Sequence, residues 1–208
     1  MEPASIRVLI VEDHPIVRYG LVALIDSQQD MKVVGQSGDG EEAVSMYRQV
    51  RPDVGIVDLR LPRMSGVEVI RAVRRFDRKA RLVVLTTYDG DEDIHRAIAS
   101  GAEGYLIKAM SHETLLGAIR KIHAGGQFIP EVIAKTLATR VSGDELTPRE
   151  IEILCLIVQG KSNKDIAACS QITEGTVKCH VNVILDKLGA SHRTQAAAIA
   201  LQRGFVHL

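Results

Sequence analysis

Residues 53–66 have the sequence DVGIVDLRLPRMSG, and this stretch decides the fold of the first half of the chain. Its first part, Asp53–Asp58, has a short apolar centre, as a buried parallel strand requires. Ser65 then precedes the amphipathic stretch Gly66–Phe76 and is a good N-cap for a helix. A strand that leads through a short loop into a helix is the repeating unit of α/β proteins.

The same alternation of a short apolar run and an amphipathic stretch extends outward to about residue 124. Asp39 with Glu42 has the spacing of a capping box, and Asp91 and Ser111 are further N-cap candidates. The predicted strands are Ile6–Val11, Met31–Ser37, Asp53–Asp58, Arg81–Thr86 and Gly104–Ile107. The predicted helices are Pro15–Ser27, Gly40–Val50, Gly66–Phe76, Glu92–Ser100 and His112–Ala124. The pattern predicts an α/β fold with an open, doubly wound, five-stranded parallel sheet.

The second half of the chain has no strand pattern. Gly125 and Gly126 interrupt the alternation, and we predict a linker over residues 126–145 that contains one helical stretch, Pro130–Thr139. Four helical segments follow in a small all-α domain: Pro148–Gln159, Asn163–Cys169, Glu174–Leu188 and Arg193–Arg203. The predicted domains are therefore residues 1–125 and 146–208.

The composition of the 208 residues is that of a globular protein, with 46% hydrophobic and 25% charged residues. No apolar run approaches the ~18 residues of a membrane span, and Glu12 and Asp13 interrupt the only N-terminal apolar run. Three cysteines without C-x-x-C spacing argue against a disulfide framework or a zinc site. We expect a soluble, cytoplasmic protein. Because the net charge is +0, any contact with nucleic acid requires a local basic patch.

Charged and hydroxyl side chains collect at the predicted carboxyl ends of the strands. Glu12 and Asp13, Asp58, Thr86 and Lys108 end the first, third, fourth and fifth strands. Three clustered carboxylates raise one another's pKa unless a cation intervenes, and Mg²⁺ prefers such oxygen ligands. Asp58 could then act as a nucleophile that forms an aspartyl phosphate, with Lys108 and Thr86 on the phosphate oxygens. Helix capping or simple solvation is the alternative explanation for each acid taken singly.

A helix-turn-helix is predicted near the C-terminus. Thr147 with Glu150 has the spacing of a capping box, and Ser162 and Thr173 are N-caps of two helices joined by a tight turn. On the second helix an apolar stripe faces inward: Val177, Val181, Ile184, Leu185 and Leu188. Polar side chains are expected outward: Thr176, Lys178, Cys179, His180, Asn182 and Lys187. Lysine can donate to guanine and asparagine pairs with adenine, so this face suits the major groove. An ordinary helical bundle is the alternative.

The first half of the chain resembles the receiver domain of bacterial two-component response regulators. The resemblance covers about residues 6–124 and rests on the motifs VEDHP, VDLRLPRMSG, LTTYD and GAEGYLIK. It implies a flavodoxin-like fold and a phosphate transfer from a sensor histidine kinase to Asp58. It also implies that Mg²⁺ is bound by Asp13, Asp58 and the backbone carbonyl of Arg60, with Glu12 acting through water.

The same resemblance implies a switch pair, Thr86 and Tyr105, and a pairing of Lys108 with the phosphate. After phosphorylation the threonine hydroxyl would turn toward the phosphate, and the aromatic ring would move into the space it leaves. One position departs from the family pattern, because Ala109 follows the lysine where receivers commonly have a cis-proline.

The C-terminal part resembles the LuxR-type helix-turn-helix of the NarL/FixJ response regulators. The motifs LTPRE, GKSNKDIA, ITEGTVKCHV and KLGASHRTQA carry this resemblance, which covers Leu146–Val206. It implies that three residues face the bases: Lys178, Cys179 and Asn182. It places four residues near the DNA backbone: Thr173, Thr176, His180 and Asn163. The helix Arg193–Arg203 is where such domains often dimerise.

Together these features predict a phosphorylation-dependent, DNA-binding transcription regulator that is not an enzyme. The expected partners are double-stranded DNA, a sensor histidine kinase and, after phosphorylation, a second copy of the chain. One alternative is a phosphorylation-independent transcription factor. Another is a Mg²⁺-dependent phosphatase that uses Asp58, although Arg60 stands where a second acid would be needed.

Two further groups of residues were assigned no function. We expect His14, which precedes Pro15, to mark the start of a helix rather than to bind metal. A basic cluster is expected to be a solvated helix face, with a nucleic-acid patch as the alternative; it comprises Arg71, Arg74, Arg75, Arg78, Lys79 and Arg81.

Overall fold

The computed structural model describes residues 5–87, 91–138 and 146–206. They form two compact units, and the main part of the second follows Lys135. The first is an α/β unit, here called the sheet unit, and the second is the helical unit. Among the helices of the described ranges, none is long and apolar enough to cross a membrane.

The sheet unit contains the predicted five-stranded parallel sheet. Its strands are β1 (Ile6–Val11), β2 (Met31–Ser37), β3 (Val54–Val57), β4 (Leu82–Thr86) and β5 (Gly104–Ile107). Their spatial order is β2-β1-β3-β4-β5, and every pairing is parallel. The helices that precede residue 139 are α1 (Pro15–Asp26), α2 (Gly40–Val50), α3 (Gly66–Phe76), α4 (Asp91–Ala99), α5 (His112–His123) and α6 (Glu131–Ala138), of which Asp91–Asp93 and Thr136–Ala138 are grouped with the second unit. The doubly wound α/β prediction is confirmed.

The N-caps fix where the helices begin. Ser65 accepts a hydrogen bond from the backbone N–H of Glu68, whose carboxylate caps in return, so α3 starts with a complete capping box. Asp39 accepts from two backbone N–H groups of α2, but the Glu42 carboxylate accepts from Ser37 Oγ at 2.6 Å instead. The predicted capping box at Asp39 is therefore only half formed. Asp91 is the first residue of α4, which corrects its prediction as an N-cap.

The core of the sheet unit lies on both faces of the three central strands. Val8 and Ile10 of β1 and Val83 of β4 are fully buried, whereas β2 at the sheet edge is only partly covered. At the opposite edge Phe128 packs on this core and forms a parallel bridge to Gly104. The first residues of the predicted linker thus add a rung to the sheet. The predicted domain boundaries stay a prediction, and residues 139–145 lie outside the described residues.

The helical unit consists of α7 (Pro148–Val158), α8 (Asn163–Ser170), α9 (Glu174–Leu188) and α10 (Arg193–Gln202). Capping boxes start α7 at Thr147 and α8 at Ser162, and the hydroxyl of Thr173 caps α9. Gln171, at φ 54°, makes the tight turn between α8 and α9. The predicted inward stripe of α9 is confirmed, because Val177, Ile184 and Leu188 are buried and Val181 and Leu185 pack against the same core.

Candidate functional site

Backbone hydrogen bonds bring the carboxyl ends of the strands to one edge of the sheet. The N–H of Asp58 donates to the carbonyl of Val11, the residue before Glu12, at 2.8 Å. The N–H of Lys108 donates to the carbonyl of Thr86 at 2.7 Å. The side chains that follow β1 and β3 therefore start from adjacent positions, and so do Thr86 at the end of β4 and Lys108 after β5, as expected for parallel strands.

At this edge Lys108 lies between two buried carboxylates. Its Nζ is 2.6 Å from Asp58 Oδ2 and 2.8 Å from Glu12 Oε2. Glu12 is 1% exposed and Asp58 is 3% exposed, so neither charge is balanced by bulk water. Lys108 is thus the protein's own counter-ion for both acids, and together with Asp13 these residues are called the acidic pocket below.

The surroundings of Asp58 and Lys108 change the pKa of both groups. Burial raises the pKa of Asp58 above its usual range, and the neighbouring Glu12 carboxylate raises it further, against the opposing effect of Lys108. Burial alone would lower the pKa of Lys108, but its hydrogen bonds to Asp58 and Glu12 outweigh that and raise it. Lys108 is therefore held in its charged form beside the carboxylate.

The acidic pocket also has the donor atoms of a divalent cation site. Ligand atoms of Glu12, Asp13, His14 and Asp58 all lie within 4.8 Å of one another. Asp13 Oδ1 is buried and accepts no hydrogen bond, although His14 Nδ1 is 2.7 Å away. A buried carboxylate oxygen in this state fits a hard cation such as Mg²⁺, which prefers oxygen ligands.

His14 has a second contact that the sequence analysis did not foresee. It is the N-cap of α1, as its place before Pro15 predicted, but its side chain makes no capping hydrogen bond. Its Nδ1 instead lies 3.1 Å from Glu12 Oε1 and close to Asp13. The adjacency of histidine to two acids was the only signal in the sequence for this contact.

The loop after β3 holds Asp58 by close packing against α3. A Cβ placed on Gly66 would lie 2.1 Å from the carbonyl oxygen of Asp58, so no side chain fits there. The N–H of Gly66 donates to the carbonyl of Leu59 at 3.0 Å, and the N–H of Arg60 donates to Asp58 Oδ1 at 3.2 Å. In the sequence Gly66 is visible only as the residue after the N-cap Ser65, so this contact could not be predicted. The Arg60 carbonyl as a metal ligand remains a prediction.

The predicted switch residues are both inside the sheet unit. Thr86 is the last residue of β4, Tyr105 pairs with Val84 across β4 and β5, and both side chains are fully buried. The described residues contain no cis peptide bond, so the bond between Lys108 and Ala109 is trans. Motion of this pair on phosphorylation remains a prediction.

The predicted DNA-contacting residues lie mostly on the outside of the helical unit. Exposed residues are Lys178, Cys179, Asn182, Thr173 and Thr176, and His180 and Asn163 are half-buried. The hydroxyls of Thr173 and Thr176 are 2.8 Å apart at the start of α9. Asn163 Oδ1 is 3.4 Å from Arg193 Nη1, so its carbonyl oxygen has an internal partner. These positions form the candidate nucleic-acid surface.

Lys187 does not belong to that surface, contrary to the prediction that it faces outward. Its Nζ lies 2.8 Å from Oε2 of Glu150, which is 6% exposed. The pair joins the end of α9 to the start of α7. Arg149 Nη2 donates to the carbonyl of Ser170 at 2.6 Å and joins α7 to the end of α8 in the same way. The first contact holds α9 against α7, and the second holds the end of α8 against α7.

Both halves of the chain match known protein families. Residues 8–120 match the family described as the response regulator receiver domain, and residues 144–200 match the bacterial regulatory proteins of the luxR family. The response regulator protein VraR of Staphylococcus epidermidis is 37% identical over 207 residues, which cover 97% of this chain and 99% of the relative. VraR of Staphylococcus aureus has the same identity and coverage.

Two solved structures extend the comparison. The response regulator ChrA of a heme-sensing two-component system is 36% identical, with a TM-score of 0.59, and the match covers 98% of this chain and all of ChrA (100%). RcsB of Salmonella enterica serovar Typhimurium is 23% identical, with a TM-score of 0.71 over 95% of this chain and 98% of RcsB. At that identity RcsB supports the fold alone.

Proposed function

The chain belongs to the response regulators that join a receiver domain to a LuxR-type DNA-binding domain, and we propose that Asp58 is its phosphoacceptor. Membership makes it a transcription regulator of a two-component system. The observation that carries the proposal is the contact of Lys108 with both buried carboxylates, 2.6 Å from Asp58 and 2.8 Å from Glu12.

The chemistry proposed for Asp58 is the transfer of a phosphoryl group from a histidine of the kinase to the Asp58 carboxylate. A carboxylate oxygen of Asp58 forms a bond to phosphorus while the bond from phosphorus to the donor histidine nitrogen breaks. Only the ionised carboxylate is a nucleophile, and the charged Lys108 opposes the effect of burial on it. After transfer Lys108 and Thr86 donate hydrogen bonds to the phosphoryl oxygens.

We propose that Mg²⁺ binds in the acidic pocket during this reaction. Asp13 and Asp58 would be direct ligands together with the carbonyl of Arg60, and Glu12 would act through water. The ion supplies positive charge that neutralises the phosphoryl oxygens. The buried Asp13 Oδ1 without a hydrogen bond supports this assignment.

Phosphorylation at Asp58 adds negative charge to a buried site, and the proposed response is a movement of the Thr86 and Tyr105 pair. The phosphorylated chain then forms a homodimer, which pairs two recognition helices α9 on half-sites about 34 Å apart. The bases are contacted by Lys178, Cys179 and Asn182. The phosphate backbone is contacted by Thr173, Thr176, His180 and Asn163. The partners are a sensor histidine kinase and promoter DNA, in the bacterial cytoplasm where that DNA lies.

Replacement of the phosphoacceptor tests the assignment. Asp58→Asn keeps the size and a carbonyl oxygen for the N–H of Arg60 but removes the nucleophile. We expect incorporation from acetyl phosphate, measured by intact mass, to fall on the order of 10³-fold or more. Asp186→Asn, at an exposed position of α9, is the matched control and keeps full incorporation. Equal incorporation in the Asp58 variant and the wild type would assign the acceptor elsewhere.

The two alternative functions give different results in the same preparation. A phosphorylation-independent factor would bind promoter DNA equally with and without acetyl phosphate. A phosphatase would turn over small phosphate esters repeatedly, whereas a regulator forms one acyl phosphate per chain. We expect a single phosphorylation event and a DNA affinity that rises with it, because Arg60 replaces the second acid that a phosphatase requires.

A further inference from the structure

A cleft of about 470 Å³ lies on the sheet unit, between the C-terminal half of α3 and the end of α4, away from the acidic pocket. Its lining residues are Arg71, Arg74, Arg75, Arg78, Ala99 and Ser100. We propose that this arginine cleft binds a small anion that carries two or more phosphate groups.

Arg74 is the fixed part of the cleft. Its Nη2 donates to the carbonyl of Gly101 at 2.6 Å, and its Nη1 donates to the carbonyl of Arg78 at 2.6 Å. The same Nη2 lies 3.2 Å from Oε1 of Glu103, which balances its charge in part. Arg74 therefore joins α3 to the turn after α4 and forms a rigid wall.

The other three arginines supply the charge. Arg71, Arg75 and Arg78 are exposed, and within the described ranges none of them has an ion pair. Hydrogen bonds from Ser65 lower the pKa of Glu68, and the charge of Arg71 one turn later adds to this effect, so the charge of Arg71 is compensated in part. The helix dipole stabilises cations near the C-terminus of a helix, which explains the basic residues in the last turn of α3. It does not explain why these residues line the same cleft as the end of α4.

The chemistry of the lining selects the ligand. The cleft is shallow and open to solvent, so charge and hydrogen bonds rather than enclosure would hold a bound anion. Guanidinium groups bind phosphate through paired N–H donors, and several of them together match a diphosphate better than a single phosphate. Ser100 Oγ already donates to the carbonyl of Ala97 at 2.6 Å, so the arginines carry the recognition.

Calorimetric titration of the full chain with inorganic pyrophosphate tests the proposal, with orthophosphate as the comparison ligand. The buffer contains EDTA and about 0.15 M salt, which screens exposed charges beyond ~8 Å. We expect pyrophosphate to bind about tenfold more tightly than orthophosphate, since its second phosphate group accepts further hydrogen bonds from the guanidinium groups. The double variant Arg75→Ala/Arg78→Ala should weaken pyrophosphate binding about tenfold or more.

Charge-matched controls separate a site from general attraction. Lys79→Ala/Arg81→Ala removes the same charge beside the cleft and should change the affinity less than about twofold. Arg75→Lys/Arg78→Lys keeps the charge but loses the paired donors, and should weaken binding to an intermediate degree. Circular dichroism should be unchanged in all three variants, because none of the substituted side chains is buried.

Four outcomes would overturn the proposal. Pyrophosphate does not bind; the Lys79 and Arg81 control weakens binding as much as the cleft variant; or Asp58→Asn abolishes binding and assigns it to the acidic pocket. In the fourth, the cleft variant loses affinity for duplex DNA and keeps affinity for pyrophosphate, which would make the cleft a nucleic-acid contact. Each of these results leaves the assignment of Asp58 as phosphoacceptor unaffected.

Discussion

The acidic pocket and the outer face of α9 use polar residues in opposite ways. In the pocket Glu12 and Asp58 are buried and both contact Lys108, so each side chain is held by the others. On α9 the side chains of Lys178 and Asn182 are exposed, and the nearest opposite charge to Lys178 Nζ is 3.9 Å away, on Glu174. The side chains of the pocket contact one another, whereas the exposed side chains of α9 are the ones proposed to contact DNA.

This difference teaches where stability and function are coupled. A substitution in the acidic pocket removes a partner from a buried charge and therefore changes folding and chemistry together. A substitution on the outer face of α9 removes a side chain that the fold does not need. The residues that hold α9 in place, Lys187 and Glu150, are different from those proposed to contact DNA. The predictions below test this separation, from the largest expected effect to the smallest.

Loss of the shared cation should have the largest effect. Lys108→Ala leaves two buried carboxylates without their counter-ion and should lower the free energy of unfolding by about 3–5 kcal/mol in EDTA. Urea unfolding followed by tyrosine fluorescence measures this, because all four tyrosines precede residue 106 and tryptophan is absent. Mg²⁺ should stabilise this variant more than the wild type, since it can replace the missing charge.

Lys32→Ala is the control for that experiment. Lys32 also has an ion pair, 2.9 Å from Asp26, but its side chain is 60% exposed, so we expect a loss of about 0–1 kcal/mol. If the Lys108 and Lys32 variants lose the same stability, burial does not distinguish the acidic pocket. If Mg²⁺ stabilises neither the Lys108 variant nor the wild type, the acids do not form a cation site.

Crowding the loop that carries Asp58 should have the next largest effect. Gly66→Ala forces a Cβ against the carbonyl oxygen of Asp58 and should cost about 1–3 kcal/mol and slow phosphorylation by acetyl phosphate. Gly20→Ala adds the same methyl group in α1, where nothing lies within 4 Å. It should stabilise the sheet unit by about 0.5–1 kcal/mol. Unaltered phosphorylation in the Gly66 variant would show that this contact does not position Asp58.

In the helical unit, the Glu150–Lys187 pair should make stability depend on pH. Hydrogen bonds from Lys187 and Thr147 outweigh burial and lower the pKa of Glu150 in the folded chain. The stabilisation is therefore present above the ordinary pKa of a glutamate and is lost as the pH falls through the lowered folded-state value. Glu150→Gln should cost about 1–2 kcal/mol near pH 7 and flatten this acid dependence.

Hydrogen exchange of the amides in α7 and α9 measures the stability of the helical unit separately. Glu152→Gln is the control, because Glu152 is exposed and its ion pair is with Arg149 of the same helix. The control should leave both the protection at pH 7 and its loss in acid nearly unchanged. An acid dependence that persists in full in the Glu150 variant would assign it to another carboxyl.

The smallest effect on stability is expected on the outer face of α9. Lys178→Ala should change the free energy of unfolding by less than about 0.5 kcal/mol but weaken specific DNA binding by about 1–3 kcal/mol. Fluorescence anisotropy with promoter DNA measures the affinity, and hydrogen exchange measures the stability. Lys187→Ala should do the reverse, with lower protection of α9. Equal DNA affinity for the Lys178 variant and the wild type would remove Lys178 from the recognition surface.

Much of the architecture could be predicted from the chain alone. Each buried strand is a short apolar run, and polar residues such as Asp58 and Lys108 mark the strand ends, so the sequence predicted both the parallel sheet and the edge where the pocket lies. The N-caps Ser65, Thr147 and Ser162 were equally visible, because capping uses residues within four positions of one another.

The contacts that could not be predicted from the sequence join residues that are far apart in the chain. The pattern assigned the neutralisation of the acids to a metal ion, whereas Lys108 contacts Glu12 across 96 positions and performs part of it. Lys187 was predicted to face outward because helical spacing ignores the neighbouring helix that carries Glu150. The capping box at Asp39 is only half formed, because the Glu42 carboxylate accepts a hydrogen bond from Ser37 instead of from the backbone N–H of Asp39.

The sequence by itself determined the order of strands and helices, the edge of the sheet at which the acids end, and the exposed polar face of α9. These follow from local periodicity and capping, which depend on near neighbours. Only the tertiary structure decided that Lys108 is shared by two acids, that Gly66 presses on the backbone of Asp58, and that arginines of α3 line a cleft with the end of α4. Such features depend on distances between separate elements, and those distances are set by packing.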